Sequence, residues 1–324
     1  MAKQNIRLNR FHKSAFYAAN TVTGIIPWAW WSQRRDRILS ELQSLSPETR
    51  ETIMERVRYY NRLHQAFDPA PESEPIRAFS PRNKSSAYYF DLRNVIRYFP
   101  RHARVAYQLG DVTTVPEHPC FVKSRPISDY DDNAHSVLLK LNTVRHYLKV
   151  EDNLAFEEKR PLAVWRGKSN HPERIAFARK WGSSSLCDVG CVRHKETGGQ
   201  PYLKPFMSIP EQLNHQFIVS VEGIDVATNL KWIMASNSLC MMRRPRYETW
   251  FMEGSLQAGI HYVELNDDFS DLEDKITYYR NNPEEAKTII KNAQRYSARF
   301  SNHAHERLIS LLVIDRYLRL SGQI

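Results

Sequence analysis

From Pro161 to about residue 300 the sequence alternates short apolar runs with stretches of helical spacing, and no other feature constrains the fold as much. Residues 162–165, 217–221, 239–242 and 261–265 are apolar runs of strand length. Helical stretches are expected at 172–181, at 227–235 and from Tyr247. Ser270 and Glu273 have the spacing of a capping box that opens another helix, and Asn282 with Pro283 opens one more, carrying Ile289, Ile290 and Ala293. Strands alternating with helices in this way predict an α/β fold, a parallel sheet covered on both faces. Ligands of such sheets bind at the carboxyl ends of the strands, where turns meet helix N-termini.

Three of those turns carry chemistry. The first holds Trp165, Arg166, Gly167, Lys168 and Ser169, with Arg174 a few residues on. Cations, a glycine and a hydroxyl at a helix N-terminus suit a diphosphate, because arginine binds phosphate oxygens bidentately and glycine lets the backbone approach. A solvated basic turn is the plainer reading, and no P-loop or GxGxxG pattern is present. The second runs from Ser220 to Trp232. Glu222 or Asp225 could accept hydrogen bonds from ribose hydroxyls there, and Thr228, Asn229 and Lys231 fall on the first turns of a helix, where the dipole favours anions. Ordinary capping by Asp225 or Thr228 explains the same residues. The third begins at Arg246 and Tyr247 and offers Trp250 and Tyr262 either for stacking on a base or for the core.

The N-terminal half is less regular. Residues 34–45 and 46–63 have the pattern of two helices, the second opened by Ser46 and Pro47 with Ile53, Val57 and Tyr60 on one face. A proline-rich stretch at 68–86 resembles a linker. Beyond it a short strand is expected at 105–109 and a helix at 133–149, with Val137, Leu138, Leu141 and Val144 on one face. Lysine and arginine number 46 against 36 acids, a net charge of +10 that calls for an anionic partner. Seven of the basic residues and one acid, Asp36, lie within residues 1–37. That arm also holds Trp28, Trp30 and Trp31 but no apolar run long enough to span a bilayer and no signal-peptide pattern. It either packs on the protein itself or meets an anionic membrane surface. The four cysteines do not form a disulfide framework; their reduced state and the missing signal point to the cytoplasm. Cys187, Cys191 and His194 lack a second ligand pair, and Asp129, Asp131 and Asp132 lie in a polar loop with no buried strand before it. No metal site is expected from either group.

Taken together, residues 165–169, 220–232, 247–251 and 261–271 resemble the signature blocks of glycosyltransferase family 90, in order and spacing. The runs from Gly110 to Val112, from Val122 to Ile127 and from Ser136 to Leu141 are similar to its bacterial lipopolysaccharide branch. The resemblance covers roughly residues 85–300. It implies a GT-B-like α/β fold, two Rossmann-like domains facing a cleft, with an extra helical N-terminal segment. The expected domains are 1–66 (basic arm and helices), 67–155 (acceptor side), 156–300 (nucleotide-sugar side) and 301–324 (a helix returning to the N-terminal domain). It implies an inverting, metal-independent transferase without a cofactor, moving a hexose or pentose from a UDP-sugar to a lipopolysaccharide core or related surface glycan. Asp111 takes the place of the family's catalytic aspartate, with Lys123 and Arg125 toward the acceptor or the cleft. Arg166, Gly167, Ser169, Arg174, Glu222, Asp225, Thr228, Asn229 and Lys231 form the expected donor site. Asn229 stands where the family's other branch tends to carry an arginine, which Arg166 or Arg174 would replace. Two non-enzyme readings stand beside this one, a basic nucleic-acid-binding protein and a peripheral membrane adaptor. No recognisable nucleic-acid motif accompanies the charge.

Overall fold

The computed structural model describes residues 26–80, 86–129, 131–148, 150–192, 200 and 202–324. The described chain divides into two compact units. The first comprises residues 26–145, Tyr247–Met252 and Phe300–Ile324; the second comprises His146–Arg246 and Glu253–Arg299.

The first unit opens with helices α1 (Trp28–Ser44) and α2 (Pro47–Tyr60). Ser46 caps α2 by accepting a hydrogen bond from the Thr49 amide at 3.3 Å, and Pro47 takes the first helical position, where its missing N–H costs nothing. The α2 face of Ile53, Val57 and Tyr60 is buried. Helix α3 (Ser86–Ile96) follows. Three short parallel strands, β1 (Tyr107–Gln108), β2 (Cys120–Val122) and β4 (Ser136–Leu138), form a sheet in the order β1-β2-β4, with β3 (Ser124–Pro126) outside it. The helix expected at 133–149 is therefore wrong: Ser136 to Leu138 is a strand, followed by a single helical turn, Thr143–His146. All three β4 residues are buried, and a fully buried strand has the same continuous apolar run as a buried helix.

The second unit is built on one six-stranded sheet. Its strands are β5 (Arg160–Lys168), β6 (Cys187–Val192), β7 (Leu203–Lys204), β8 (His215–Ser220), β9 (Leu239–Met242) and, after β10 (Tyr247–Thr249), β11 (Val263–Glu264). The order is β11-β9-β8-β5-β6-β7 and every pairing is parallel. All of β9, and β8 from Phe217 to Ser220, is buried. Successive strand residues point to opposite faces, so unbroken burial means that both faces are covered. Helices α4 (Pro172–Trp181), α6 (Leu272–Asn281) and α7 (Pro283–Ala298) supply Phe177, Trp181, Ile276 and Ile289 to the core; the short α5 (Leu230–Met234) packs beside β9. No side-chain capping box opens α6, since its N-cap is Asp271 and Glu273 instead accepts from Ser184 at 2.5 Å. The helix expected from Tyr247 is the strand β10, which belongs to the first unit and runs antiparallel to β3, setting Glu248 opposite Arg125. The last helix, α8 (His303–Leu320), also belongs to the first unit.

Candidate active site

The strand order fixes where the second unit can bind a ligand. From β5 the chain passes outward to β6 and β7, then crosses back to β8 on the other side of β5 and continues to β9 and β11. The direction of winding reverses between β5 and β8. At such a switch point the connections leave in opposite directions, and a crevice opens outside the carboxyl ends of the two strands. The first two of the three segments singled out in the sequence lie there. Residues 165–168 are not a turn, however; strand β5 continues through them to Lys168.

That extension changes the role of two residues. Arg166 lies along the sheet, where its guanidinium donates to the Asp188 carboxylate at 2.8 Å, to the Asp188 carbonyl at 2.6 Å and to the Pro205 carbonyl at 3.1 Å. Its charge is taken up by β6, and this pair outweighs the burial that would raise Asp188, leaving that carboxyl below its ordinary range. A Cβ at Gly167 would run into the buried Trp165 indole, which lies over it. The glycine makes room for Trp165.

Past the strand ends, Arg174 on the first turn of α4 donates to the carbonyls of Val221 and Glu222 at 3.1 and 3.0 Å and so ties the β8 turn to α4. Glu222 receives Arg246 Nε at 2.8 Å, and Glu173 receives Arg243 at 2.5 Å and Arg246 at 3.3 Å. Arg243 and Arg244 were not singled out in the sequence, although a basic pair directly after strand β9 was a legible signal. Lys168 and Arg244 are exposed and have no ion-pair partner among the described residues. Asn229 accepts from Ser220 at 3.1 Å and donates to the Val219 carbonyl at 3.1 Å, which locks α5 to the end of β8. Lys231 is buried in an ion pair with Glu253 at 2.7 Å, and Asp225 is buried as well. The half-buried hydroxyls of Ser169 and Thr228 make no hydrogen bond among the described residues. The rim of this sheet therefore carries cations, two available hydroxyls and the N-terminus of α4, a set suited to an anion such as a diphosphate. Of the two roles open to Trp250 and Tyr262, base stacking or the core, both take the core. Trp250 stacks on Tyr60 at 3.8 Å within the first unit, and Tyr262 is buried in the second.

The first unit holds a separate constellation around Asp111. Gly110 has φ 130°, a backbone region open to glycine, and turns the chain so that the Asp111 side chain is partly exposed. Ser124 pins the loop by accepting from the Val112 amide at 3.1 Å and donating to its carbonyl at 2.9 Å. Lys123, itself buried, reaches Asp111 Oδ1 at 2.5 Å, and the Tyr88 hydroxyl donates to the same oxygen at 3.1 Å. Asn142, with φ 61°, donates to Tyr88 at 3.1 Å. Both bonds fall on Oδ1, and Oδ2 has no partner among the described residues. Burial pushes the Asp111 carboxyl up, but Lys123 and the two hydrogen bonds outweigh it and hold the group below its ordinary value. Arg125 lies fully inside this unit, donating to Glu248 at 2.7 Å, to the Ser136 carbonyl at 3.1 Å and to the Tyr59 carbonyl at 2.7 Å. Cys187 and Cys191 are buried in β6; His194 and Tyr130 lie outside the described residues.

The sequence model described as Glycosyl transferase family 90 matches residues 134–304. An O-glucosyltransferase named LpsA from Dichelobacter nodosus is 48% identical over 311 residues, covering 96% of each chain. Protein O-glucosyltransferase 3 from Homo sapiens is 27% identical over 175 residues, half of this chain and 33% of its own length. Protein O-glucosyltransferase 2 from Danio rerio is 25% identical over 148 residues, 44% of this chain and 29% of its own.

Proposed function

The chain belongs to glycosyltransferase family 90 and is a glycosyltransferase, and from that premise we propose that it moves a glucosyl group from UDP-glucose to a hydroxyl of a lipopolysaccharide core or related surface glycan, with inversion at the anomeric carbon. The observation that carries the donor reading is the winding reversal between β5 and β8, with cations gathered at the carboxyl ends of those strands. The sugar rests on the match to a bacterial O-glucosyltransferase over nearly the whole of both chains. The same reading takes the two units as the Rossmann-like halves of a GT-B enzyme, supported in the second by the six parallel strands and in the first by β1, β2 and β4.

The chemistry follows from the charges. As the acceptor oxygen bonds to the anomeric carbon, its proton becomes strongly acidic and passes to Asp111 Oδ2. A carboxylate held low by Lys123 can still take that proton, because it need accept it only once attack is under way. The bond from the anomeric carbon to the diphosphate oxygen breaks with its electron pair, and UDP departs. The charge left on the diphosphate is met by Lys168, Arg243, Arg246, the Ser169 and Thr228 hydroxyls and the α4 N-terminus, of which Arg243 and Arg246 are already held in place by Glu173 and Glu222. Arg174 and Asn229 hold the β8 turn in place, and Arg166 ties β5 to β6. Glu222 and Asp225 remain the candidates for the ribose.

A thermal-shift screen against nucleoside diphosphates tests the donor site: UDP and UDP-glucose should raise the melting temperature, and no shift at millimolar nucleotide would remove the assignment. Asp111→Asn should lose transfer while keeping the UDP shift. Turnover retained by that variant would take Asp111 out of the role.

A further inference from the structure

The Trp-rich arm of the sequence has two possible fates, packing on the protein or meeting a membrane. Residues 1–25 lie outside the described residues, but the stretch that continues into α1 shows both at once. Trp31 is buried, edge-on to Tyr98 at 5.0 Å, with the Arg97 guanidinium over its ring at 3.6 Å. Trp28 and Trp30 point outward, 39% and 43% exposed. The Trp28 indole is nonetheless fixed, donating to the Phe99 carbonyl at 2.8 Å. One turn along α1, Arg34 stacks over Trp30 at 5.0 Å, and Arg37 continues the same exposed face.

The charge around these rings is one-sided. Burial, with Arg93 and Arg307 adding to it, lowers Arg97 to about 10. Its Nε and Nη1 are buried without a hydrogen-bond partner among the described residues. Arg34, Arg37, Arg93, Arg97 and Arg307 form no ion pair among the described residues; of the two acids on α1, Asp36 is taken by Arg35 at 2.8 Å, and Glu41, one turn beyond Arg37, forms none. Residues 1–25 contain no aspartate or glutamate that could neutralise the patch. Clustered, unpaired guanidinium groups raise one another's electrostatic energy, a cost that is relieved when an anion arrives. Exposed indoles beside arginines match the headgroup layer of a bilayer, where the amphipathic ring sits at the interface and the cations meet lipid phosphate.

We propose that the exposed surface of α1, with Trp30, Arg34 and Arg37 on one side and Trp28 on the other, together with Arg93 and Arg307 near Arg97, docks on the anionic phospholipid surface of a membrane. The inference is independent of the donor and base assignments. It locates the contact on a folded helix, so that it does not depend on the arm before it.

Flotation of the full-length chain with vesicles tests this. The protein should rise with vesicles of phosphatidylglycerol and phosphatidylethanolamine, less so as salt increases, and stay behind with pure phosphatidylcholine. Each cation near such a surface contributes about 1 kcal/mol, so Arg34→Glu combined with Arg307→Glu should lower the partition coefficient about tenfold or more. Both positions are exposed, so the melting temperature should stay unchanged. Tryptophan emission should shift to the blue on binding, and less so in Trp30→Phe. Full-length protein that ignores anionic vesicles, or variants that bind and shift as the parent does, would overturn the proposal; the second result would assign any binding to residues 1–25.

Discussion

Asp111 and Asp91 belong to the same unit and are pushed in opposite directions. Asp111 has a lysine at 2.5 Å and is lowered. Asp91 is buried and receives the Thr143 amide at 2.8 Å and its hydroxyl at 2.9 Å, but these bonds do not offset burial, which pushes it up to about 7. The two are joined through the turn that Asp91 anchors, since Asn142 of that turn holds Tyr88 and Tyr88 holds Asp111. The linkage to stability has opposite signs. Asp111, lowered on folding, contributes stability that is present above its ordinary value of 3.8 and lost as pH falls through its folded value. Asp91, raised on folding, keeps its proton in the folded chain between 3.8 and about 7, where the unfolded chain has released it. The folded state binds more protons in that window, so the Asp91 contribution falls as pH rises across it and is flat above. Asp91→Asn removes the titration while leaving a carbonyl to accept from Thr143. Its stability relative to the parent should therefore improve steadily from pH 4 to 7, as measured by urea unfolding at several pH values. Parallel curves for the two proteins would show that Asp91 does not titrate in this window.

At the scale of elements, what the sequence revealed depended on how each strand is buried. Residues 239–242 were legible to the residue, and 217–221 nearly so, because a strand covered on both faces is a continuous apolar run. Strand β6 escaped notice since Asp188 and Gly190 interrupt it, each for a local reason. Asp188 receives Arg166, and a Cβ at Gly190 would crowd the Lys204 side chain on β7. Residues 133–149 misled in the other direction, with helical spacing in a segment whose apolar residues belong to a strand and a turn. The segments proposed for the donor stood out because glycine and cations beside a strand are visible locally. Arg166 and Lys231 ended inside the unit because their partners, Asp188 and Glu253, are distant in sequence, by 22 residues in each case. Strand β5 supplies the test at this scale. If Gly167 serves Trp165, Gly167→Ala forces a buried indole aside, and overpacking of that kind costs about 1–3 kcal/mol. The urea midpoint should fall with the m-value unchanged. A glycine needed only for a ligand's approach would instead leave stability intact and weaken UDP binding.

Across the whole molecule, the chain enters the first unit three times, and the later entries bring the charges that complete it. Strand β10 returns Glu248 to Arg125, and α8 returns Glu306 to Arg56 at 2.7 Å and Lys140 at 2.8 Å, with the Trp250 indole at 2.7 Å on the same carboxylate. Arg56 and Glu306 are each about 95% buried, and burial lowers Arg56 less than Tyr60 and Glu306 raise it. A buried pair of this kind adds little over an apolar replacement, yet losing one partner strands the other without solvent. Glu306→Gln keeps an acceptor for Trp250 but removes the charge facing both cations, so it should cost about 3–5 kcal/mol of folding stability. The second unit has its own core of sheet, α4, α6 and α7, to which Glu306 does not belong. UDP affinity measured by calorimetry below the melting transition should therefore match that of the parent, while the midpoint of unfolding drops. A joint loss of affinity and stability would mean that UDP binding does not rest on the second unit alone.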